Sequence, residues 1–123
     1  ALNYDSATGL FKGTVDLGSS FATGNYLIKI KSERHLKRLL PGIVAITSGQ
    51  TTTVPTITLF AGDINGDNAL DTLDYGIFVS CFGAKATTAS CTNKTSADVN
   101  DDGVVDGVDY NLFYKSLSIR HGD

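Results

Sequence analysis

The stretch DINGDNALDTLDY at residues 63–75 decides the fold, because it recurs 35 residues later as DVNDDGVVDGVDY at residues 98–110. Asp or Asn stands at the first, third, fifth, ninth and twelfth residue of both copies. Each copy continues into a segment with helical apolar spacing, Gly76–Phe82 in the first and Asn111–Leu117 in the second. An internal repeat of this kind predicts two copies of one loop–helix unit.

The repeated oxygen-bearing side chains match the ligand spacing of an EF-hand-type calcium loop, in which the seventh residue adds its backbone carbonyl. Neither loop contains His or Cys, so the hard oxygens favour Ca²⁺ over transition metals and leave Mg²⁺ as its main competitor. We therefore expect two Ca²⁺ ions. The predicted ligands are Asp63, Asn65, Asp67, Ala69, Asp71 and Asp74 for the first ion and Asp98, Asn100, Asp102, Val104, Asp106 and Asp109 for the second.

The sixth residue of each loop must turn the chain around the ion with a left-handed backbone. Gly103 adopts that conformation at no steric cost, and Asn68 is the next-best residue type. Clusters of Asp, Asn and Gly are often only solvated turns, but two complete twelve-residue loops favour metal binding. Because four carboxylates in each loop repel one another, we expect calcium binding to drive folding of this half.

The two halves of the chain carry opposite charge. Residues 1–61 hold six Lys or Arg and three acidic residues, which gives +3, whereas residues 62–123 hold four Lys or Arg and ten Asp, which gives −6. This asymmetry predicts two modules, residues 1–61 and residues 62–123. Five of the ten Lys and Arg lie between residues 29 and 38. We expect that stretch to be a solvated face, and an electrostatic match to the acidic loops is the alternative.

The first module has the pattern of short strands separated by Gly, Ser, Thr and Asn. The predicted strands are Leu10–Val15, Tyr26–Lys31, Gly42–Thr47 and Thr51–Leu59. The expected fold class is therefore α+β, with a small antiparallel β-sandwich followed by an all-α pair of calcium loop–helix repeats. In those repeats, helical spacing places aromatic and apolar side chains in the expected core, namely Tyr75, Phe78, Phe82, Tyr110, Phe113 and Leu117.

Several other classes of function lack their sequence signals. The chain has no nucleophile elbow and no glycine-rich phosphate loop, and nine of the ten acidic residues of the second half lie inside the two loops, so we do not expect an enzyme. The basic stretch lacks interleaved aromatics, which excludes a typical nucleic-acid site. No run of 18 apolar residues exists, so we expect no membrane insertion. The start at Ala1 has no leader pattern and indicates a mature product or an excised piece of a longer protein.

A calcium loop that ends in Asp, is followed directly by one helix and is duplicated resembles a dockerin. GDINGD at residues 62–67 and ADVNDDG at residues 97–103 match the opening motif of that family, and the resemblance covers residues 62–118. It implies a non-catalytic, calcium-dependent module for protein–protein anchoring. Its partner would be a cohesin of a scaffoldin or cell-surface protein, in an assembly of the cellulosome type. It also implies a secreted, extracellular protein, which such a partner can attach to a cell surface.

The resemblance also carries over a set of partner-binding positions, which are loop positions 10 and 11 and the exposed helix faces. The candidates are Thr72, Leu73, Ile77, Ser80, Gly107, Val108, Leu112, Lys115 and Ser116. Because these positions differ between the copies, we expect a single dominant, apolar-rich binding orientation that depends on Leu73 and Val108.

Cys81 and Cys91 form an even pair, and in an extracellular calcium protein such a pair predicts a disulfide. Two free thiols are the alternative, and the ligands are too few for zinc.

GNYLIKIK at residues 24–31 and GQTTTV at residues 49–54 look like the immunoglobulin-like or carboxypeptidase-regulatory-like modules that precede dockerins, including X-modules. This resemblance implies a structural companion for the dockerin. The alternative function is a self-contained, calcium-stabilised structural or carbohydrate-contacting module with no cohesin partner. The absence of Trp, and the core positions expected for most Phe and Tyr, count against sugar binding.

Overall fold

A computed structural model describes residues 2–83, 91–119 and 121–123. Strands come first and helices follow, which confirms the α+β class. The elements of the described residues are β1 (Asn3–Asp5), β2 (Leu10–Lys12), β3 (Gly24–Tyr26), β4 (Lys29–Ile30), β5 (Arg38–Leu39), β6 (Val44–Ile46), α1 (Thr72–Cys81), α2 (Lys94–Ala97) and α3 (Gly107–Ser116).

The chain divides into two compact units. Ala1–Tyr26 and Val44–Val54 form what we call the N-terminal unit, and Leu27–Ile43 and Pro55–Asp123 form the loop–helix unit. The loop–helix unit therefore takes in a segment from the half that charge assigned to the first module. The boundary between residues 61 and 62 remains a prediction about where independent domains begin and end.

The N-terminal unit contains two short antiparallel pairings, β1 with β2 and β3 with β6. Tyr4 lies opposite Phe11, and their ring centroids are 5.3 Å apart. The third pairing, β4 with β5, belongs to the loop–helix unit. Within the described residues, each sheet has two strands, so the strands are shorter and less extensively paired than those of the expected β-sandwich.

The predicted strand Tyr26–Lys31 is divided between two sheets. Gly24–Tyr26 pairs with Val44–Ile46, whereas Lys29–Ile30 pairs with Arg38–Leu39. Alternation of apolar and polar residues indicates an extended backbone but does not select the strand that completes its hydrogen bonds.

The predicted strand Thr51–Leu59 is wrong, since residues 51–60 contain no strand. Pro55 has no backbone N–H to donate to a neighbouring strand. Immediately beyond this stretch, the Leu36 N–H donates to the Phe60 carbonyl at 2.8 Å, and His35 forms an isolated bridge with Ala61. The end of the segment is therefore held by single contacts instead of a ladder.

The core of the loop–helix unit lies between α1 and α3. The side chains of Phe78 and Phe113 are buried there, and Leu36 from the segment between β4 and β5 is buried in the same cluster. The other buried members are Ile64, Leu70, Cys81, Cys91, Ala97 and Val105. Burial of these apolar groups is the main favourable contribution to folding of this unit.

Both long helices begin earlier than predicted, at Thr72 and Gly107 instead of Gly76 and Asn111. Asp71 caps α1 by accepting a hydrogen bond from the Leu73 N–H at 2.8 Å. Asp106 caps α3 in the same way through Val108 at 2.7 Å. Each helix therefore starts inside the twelve-residue loop, because the ninth loop residue is also a strong N-cap.

Cys81 at the end of α1 is bonded to Cys91, and their Cα atoms are 5.1 Å apart. That separation is typical of disulfides. Both sulfur-bearing side chains are buried in the core cluster, so the covalent link fastens α1 to the chain that leads into the second loop.

Candidate functional site

The first loop, residues 63–74, is closed by hydrogen bonds from its own backbone to its predicted ligands. An Asp63 carboxylate oxygen accepts from the Asn68 N–H at 3.2 Å, and an Asp67 oxygen accepts from the Ala69 N–H at 2.8 Å. The side-chain oxygen of Asn65 accepts from the Asp67 N–H at 3.0 Å. The first, third and fifth loop residues therefore lie on the inner side of one turn.

The second loop, residues 98–109, repeats this arrangement. The two carboxylate oxygens of Asp98 accept from the Asp102 N–H at 3.1 Å and the Gly103 N–H at 2.9 Å. Asn100 accepts from the Asp102 N–H at 3.0 Å, and Asp102 accepts from the Val104 N–H at 2.9 Å. The repeat seen in the sequence is therefore a repeat of local geometry as well.

The twelfth loop residue is buried in both copies and ties the loop to its helix. Asp74 accepts from the N–H groups of Ile64 at 2.8 Å and Asn65 at 3.1 Å with one oxygen, and from Asp71 at 3.1 Å with the other. Asp109 makes the equivalent three hydrogen bonds in the second loop. Burial raises the pKa of Asp74 above its ordinary value, although the backbone hydrogen bonds oppose that shift. A nearby cation would stabilise such a buried carboxylate.

The left-handed residues lie where the loop spacing requires them. Asn68 has a φ of 70° and Gly103 a φ of 89°, which confirms the prediction for the sixth position. The fourth position is also left-handed in both loops, at Gly66 with a φ of 80° and Asp101 with a φ of 62°. The left-handed backbone at Gly66 and Asp101 was not predicted from the sequence.

The donor set of each loop fits a hard dication, because it consists of carboxylate, amide and carbonyl oxygens. Within the described ranges, no three His, Cys, Asp or Glu side chains form a metal-binding group by themselves. Several of the loop carboxylates accept hydrogen bonds from loop N–H groups and do not face one another as a cluster. A complete ligand set therefore has to include the amide oxygens of Asn65 and Asn100 and the carbonyls of Ala69 and Val104.

The basic stretch lies against the two loops and is not simply a solvated face. Lys31 forms an ion pair with Asp63, the first residue of the first loop. Arg34 donates to the Asp98 carbonyl at 2.5 Å and pairs with the Asp101 carboxylate at 2.7 Å. The alternative interpretation, an electrostatic match to the acidic loops, is therefore the one that the structure supports.

The positive charge of this stretch also acts on Asp67. The pKa of its carboxyl lies below the ordinary value, first because the Ala69 N–H and the Asn65 side chain donate to it, and further because Lys31 and His121 lie nearby.

The partner-binding candidates differ in accessibility. Leu73 and Val108, one at the start of each helix, are 62% and 52% exposed. Thr72, Ser80, Gly107 and Lys115 are also exposed, whereas Ile77 and Leu112 are half-buried. Ser116 is only 5% exposed, and its hydroxyl donates to the Leu112 carbonyl at 3.2 Å. A buried, internally bonded hydroxyl is not available to a partner, so Ser116 drops out of this set.

The expected core positions of most aromatic residues are wrong. Of the set Tyr75, Phe78, Phe82, Tyr110 and Phe113, only Phe78 and Phe113 are buried, and the other three are exposed. Helical spacing identifies a stripe of apolar residues, but it does not say which part of a wide stripe packs inward. Burial of the aromatic side chains therefore no longer counts against sugar binding.

The structure shows further exposed apolar residues on the helices that were not among the predicted partner-binding candidates. They occur at matching positions of the two helices, Tyr75 with Tyr110 and Val79 with Tyr114, and they are accompanied by Phe82. Tyr75, Tyr110 and Phe82 had been expected in the core, so the sequence carried no signal that these three side chains are exposed. A groove opens beside the start of α1, and it is lined by Leu70, Asp71, Thr72, Tyr75, Phe113 and Leu117.

Residues 61–118 match the model of the dockerin type I domain family. This match confirms the resemblance found in residues 62–118. Domains of this family bind calcium, are non-catalytic modules and belong to extracellular cellulosome components. No curated protein matches the chain.

Two solved structures are similar to this chain. One is an N-terminal interface mutant of a type II cohesin–X-dockerin complex from Acetivibrio cellulolyticus, with 29% identity and a TM-score of 0.58. The other is a C-terminal interface mutant of the same complex, with 26% identity and a TM-score of 0.54. Each match covers 79% of this chain and 64% of the other chain, so the chain spans less than two thirds of the length of either neighbour. None of the described helices is long and apolar enough to cross a membrane.

Proposed function

We propose that the chain is a non-catalytic, calcium-dependent anchoring module that binds a cohesin and docks its parent protein onto a scaffold or cell surface. The observation that carries this proposal is the pair of loop–helix units with matching exposed apolar residues on α1 and α3. Support comes from the family match over residues 61–118 and from the likeness to cohesin–X-dockerin complexes.

We propose that each loop holds one Ca²⁺ through the six ligands predicted for it from the sequence. Bound Ca²⁺ supplies positive charge that stabilises the crowded loop oxygens. Asp74 and Asp109, which also hydrogen-bond to the start of each loop, couple an occupied loop to the position of the following helix. Calcium binding therefore preorganises the helix surfaces before a partner arrives.

The proposed cohesin-binding surface is apolar at its centre. It combines the exposed residues Leu73, Val108, Tyr75, Tyr110 and Tyr114. Around them lie candidates with polar or smaller side chains, namely Thr72, Ser80, Gly107 and Lys115, and the half-buried Ile77 and Leu112. Exposed Tyr residues surrounded by polar groups are typical of protein–protein interfaces.

The two copies are similar but not identical on this surface, since Val79 corresponds to Tyr114 and Ser80 to Lys115. We therefore retain the proposal of one dominant orientation. The family match is to the type I domain, whereas the neighbours are type II complexes. Cohesins of both types therefore belong in any test.

The remaining parts of the proposal concern the whole chain. The N-terminal unit would serve as a structural companion of the X-module kind, and no part of the chain would carry out catalysis. The protein would act outside the cell, where the disulfide between Cys81 and Cys91 is stable.

The test is isothermal titration of the full chain with cohesins of both types. It is done in about 2 mM calcium, a concentration above the dissociation constants of extracellular calcium modules, and again with excess chelator. We expect binding in calcium and none in chelator. The double variant Leu73→Asp/Val108→Asp should weaken binding at least tenfold, because it buries two charges in the interface. Val15→Asp is the matched control, since Val15 is an exposed apolar residue of the N-terminal unit.

Two results would count against this function. If no cohesin of either type binds in calcium, the self-contained calcium-stabilised module becomes the better explanation. If Lys115→Glu abolishes binding while Leu73→Asp and Val108→Asp leave it intact, the apolar-rich orientation is wrong.

A further inference from the structure

The two calcium loops differ in one respect that their repeated sequence does not show, which is their contact with the basic segment Lys31–Leu36. Lys31 pairs with the carboxylate of Asp63, the first predicted ligand of the first loop. In the second loop, both oxygens of the equivalent Asp98 accept backbone N–H groups of the loop itself.

Arg34 approaches the second loop without contacting a predicted side-chain ligand. Its guanidinium donates to the Asp98 backbone carbonyl and pairs with Asp101. Asp101 stands at the fourth loop position, which supplies no ligand in loops of this type. One basic segment therefore places a cation on a ligand carboxylate in the first loop and on non-ligand groups in the second.

The position of Lys31 is enforced by its surroundings. Lys31 directly follows β4, which is paired with β5. Beyond it, the Arg34 carbonyl accepts from the Gly62 N–H at 2.8 Å, next to Asp63 in the chain. Leu36 is buried in the core of the same unit. The Lys31 side chain is 29% exposed and that of Asp63 is fully buried, so water screens this ion pair less than a surface pair.

We infer that Lys31 is an internal counter-cation of the first loop, so that the first loop binds Ca²⁺ more weakly than the second and fills after it. The Lys31 ammonium group already neutralises part of the negative charge that attracts Ca²⁺ to the first loop. When the ion binds, this group must either leave the Asp63 carboxylate or contact it together with the ion. Its charge also reaches Asp67, the fifth residue of the loop. Among the described residues, no such competitor contacts the four ligand carboxylates of the second loop. Lys31 has this role only if the first loop is a calcium site, as proposed above.

The test follows each loop separately in the full chain, with backbone amide NMR signals recorded as CaCl₂ is added. Asn68 reports on the first loop and Gly103 on the second, because each is the sixth residue of its loop. We expect the Gly103 signal to saturate at a lower calcium concentration than the Asn68 signal. In Lys31→Met the affinity of the first loop should rise about tenfold, which lies within the range typical of coupling between two interacting sites, while that of the second loop stays the same.

Two further variants separate charge from packing. Lys31→Arg keeps the positive charge and should keep the difference between the loops. Lys29→Met removes an exposed lysine of the same hairpin and should leave both affinities unchanged. Circular dichroism in saturating calcium shows whether each variant folds.

Two outcomes would overturn the inference, and they are distinguishable. If both loops bind Ca²⁺ but Lys31→Met leaves the affinity of the first loop unchanged or lowers it, Lys31 is not a competitor and the proposed anchoring function is unaffected. If neither Asn68 nor Gly103 responds to calcium, the calcium sites themselves are wrong, and the proposed function fails together with this inference.

Discussion

Phe78 of α1 and Phe113 of α3 stack on each other in the core, with ring centroids 5.7 Å apart and 18° between the ring planes. They are corresponding residues of the two sequence copies, 35 positions apart. The two repeats therefore pack through the same position of each helix. This contact links the two loop–helix repeats and fills the centre of the unit.

The first prediction concerns this contact. Phe113→Ala should lower the free energy of unfolding by about 3–5 kcal/mol, because it removes a fully buried ring and leaves a cavity. Denaturant unfolding in saturating calcium measures the effect. Tyr114→Ala is the control, since the neighbouring ring is exposed and its loss should change stability by no more than about 0.5 kcal/mol. A loss below about 1 kcal/mol for Phe113→Ala would mean that the stacked pair does not hold the repeats together.

The second prediction concerns Gly62, which directly precedes the first loop. Its φ is 120°, and an added Cβ would lie 2.8 Å from Leu70 Cδ1 and 2.9 Å from Phe113 Cδ2. Gly62→Ala should therefore lower the free energy of unfolding by about 1–3 kcal/mol through strain and overpacking. Thermal unfolding provides the measurement.

A glycine with free space provides the contrast to Gly62. Gly76 lies within α1, and an added Cβ there meets no atom within 4 Å. Gly76→Ala should raise stability by about 0.5–1 kcal/mol, because alanine loses less backbone entropy in a helix. Equal effects of the two substitutions would contradict the packing described around Gly62.

The third prediction concerns the disulfide. Cys81→Ala/Cys91→Ala should lower the free energy of unfolding by about 2–3 kcal/mol, the loss of loop-closure entropy expected for a short loop. Denaturant unfolding with and without a reducing agent measures it. Reduction should destabilise the unsubstituted chain by a similar amount and leave the double variant unchanged. An unsubstituted chain that is insensitive to reductant would show that the two cysteines are not linked in solution.

The fourth prediction concerns pH. His35 is partly buried, and its Nδ1 has no hydrogen-bond partner in the described part of the chain. Its pKa lies below the ordinary value of 6.5, first because burial disfavours the charged imidazolium and then because Arg34 is close, while Asp101 acts in the opposite direction. The folded chain therefore binds this proton less readily than the unfolded chain does.

The sign of the pH effect follows from this difference. The contribution of His35 to stability is complete above pH 6.5 and is lost as the pH falls from there through the folded-state pKa. Between about pH 7.5 and 5.5 the unsubstituted chain should lose more stability than His35→Gln, as measured by denaturant unfolding at fixed, saturating calcium. Parallel losses in the His35→Gln and unsubstituted proteins would contradict the prediction.

The two twelve-residue loops were the most predictable part of the molecule. The closed turn of each loop, the left-handed sixth residues Asn68 and Gly103 and the helix after each loop all depend on residues within about twelve positions of one another. Even the early helix starts have a local cause, since Asp71 and Asp106 are N-cap residues by type. Short-range preferences of this kind can be assigned from residue type and spacing alone.

The strand pairings and the exposed aromatics were not predictable in the same way. Extended character around Tyr26–Ile30 was visible, but only competing partners decide that one end pairs with Val44–Ile46 and the other with Arg38–Leu39. Similarly, Tyr75 and Phe78 both fit the apolar stripe of α1, and packing of α3 against one side of that stripe leaves Tyr75 exposed.

The sequence by itself determined that this chain carries two oxygen-lined loops, each ending in an Asp and followed by a helix. Only the tertiary structure decided that Lys31 and Leu36 belong to the loop–helix unit, with one paired to Asp63 and the other buried in the core. The physical reason is the separation along the chain of the residues that make each contact. Loop geometry arises from hydrogen bonds between near neighbours, whereas the Lys31–Asp63 pair joins residues 32 positions apart and forms only when burial of Leu36 brings the basic segment against the loops.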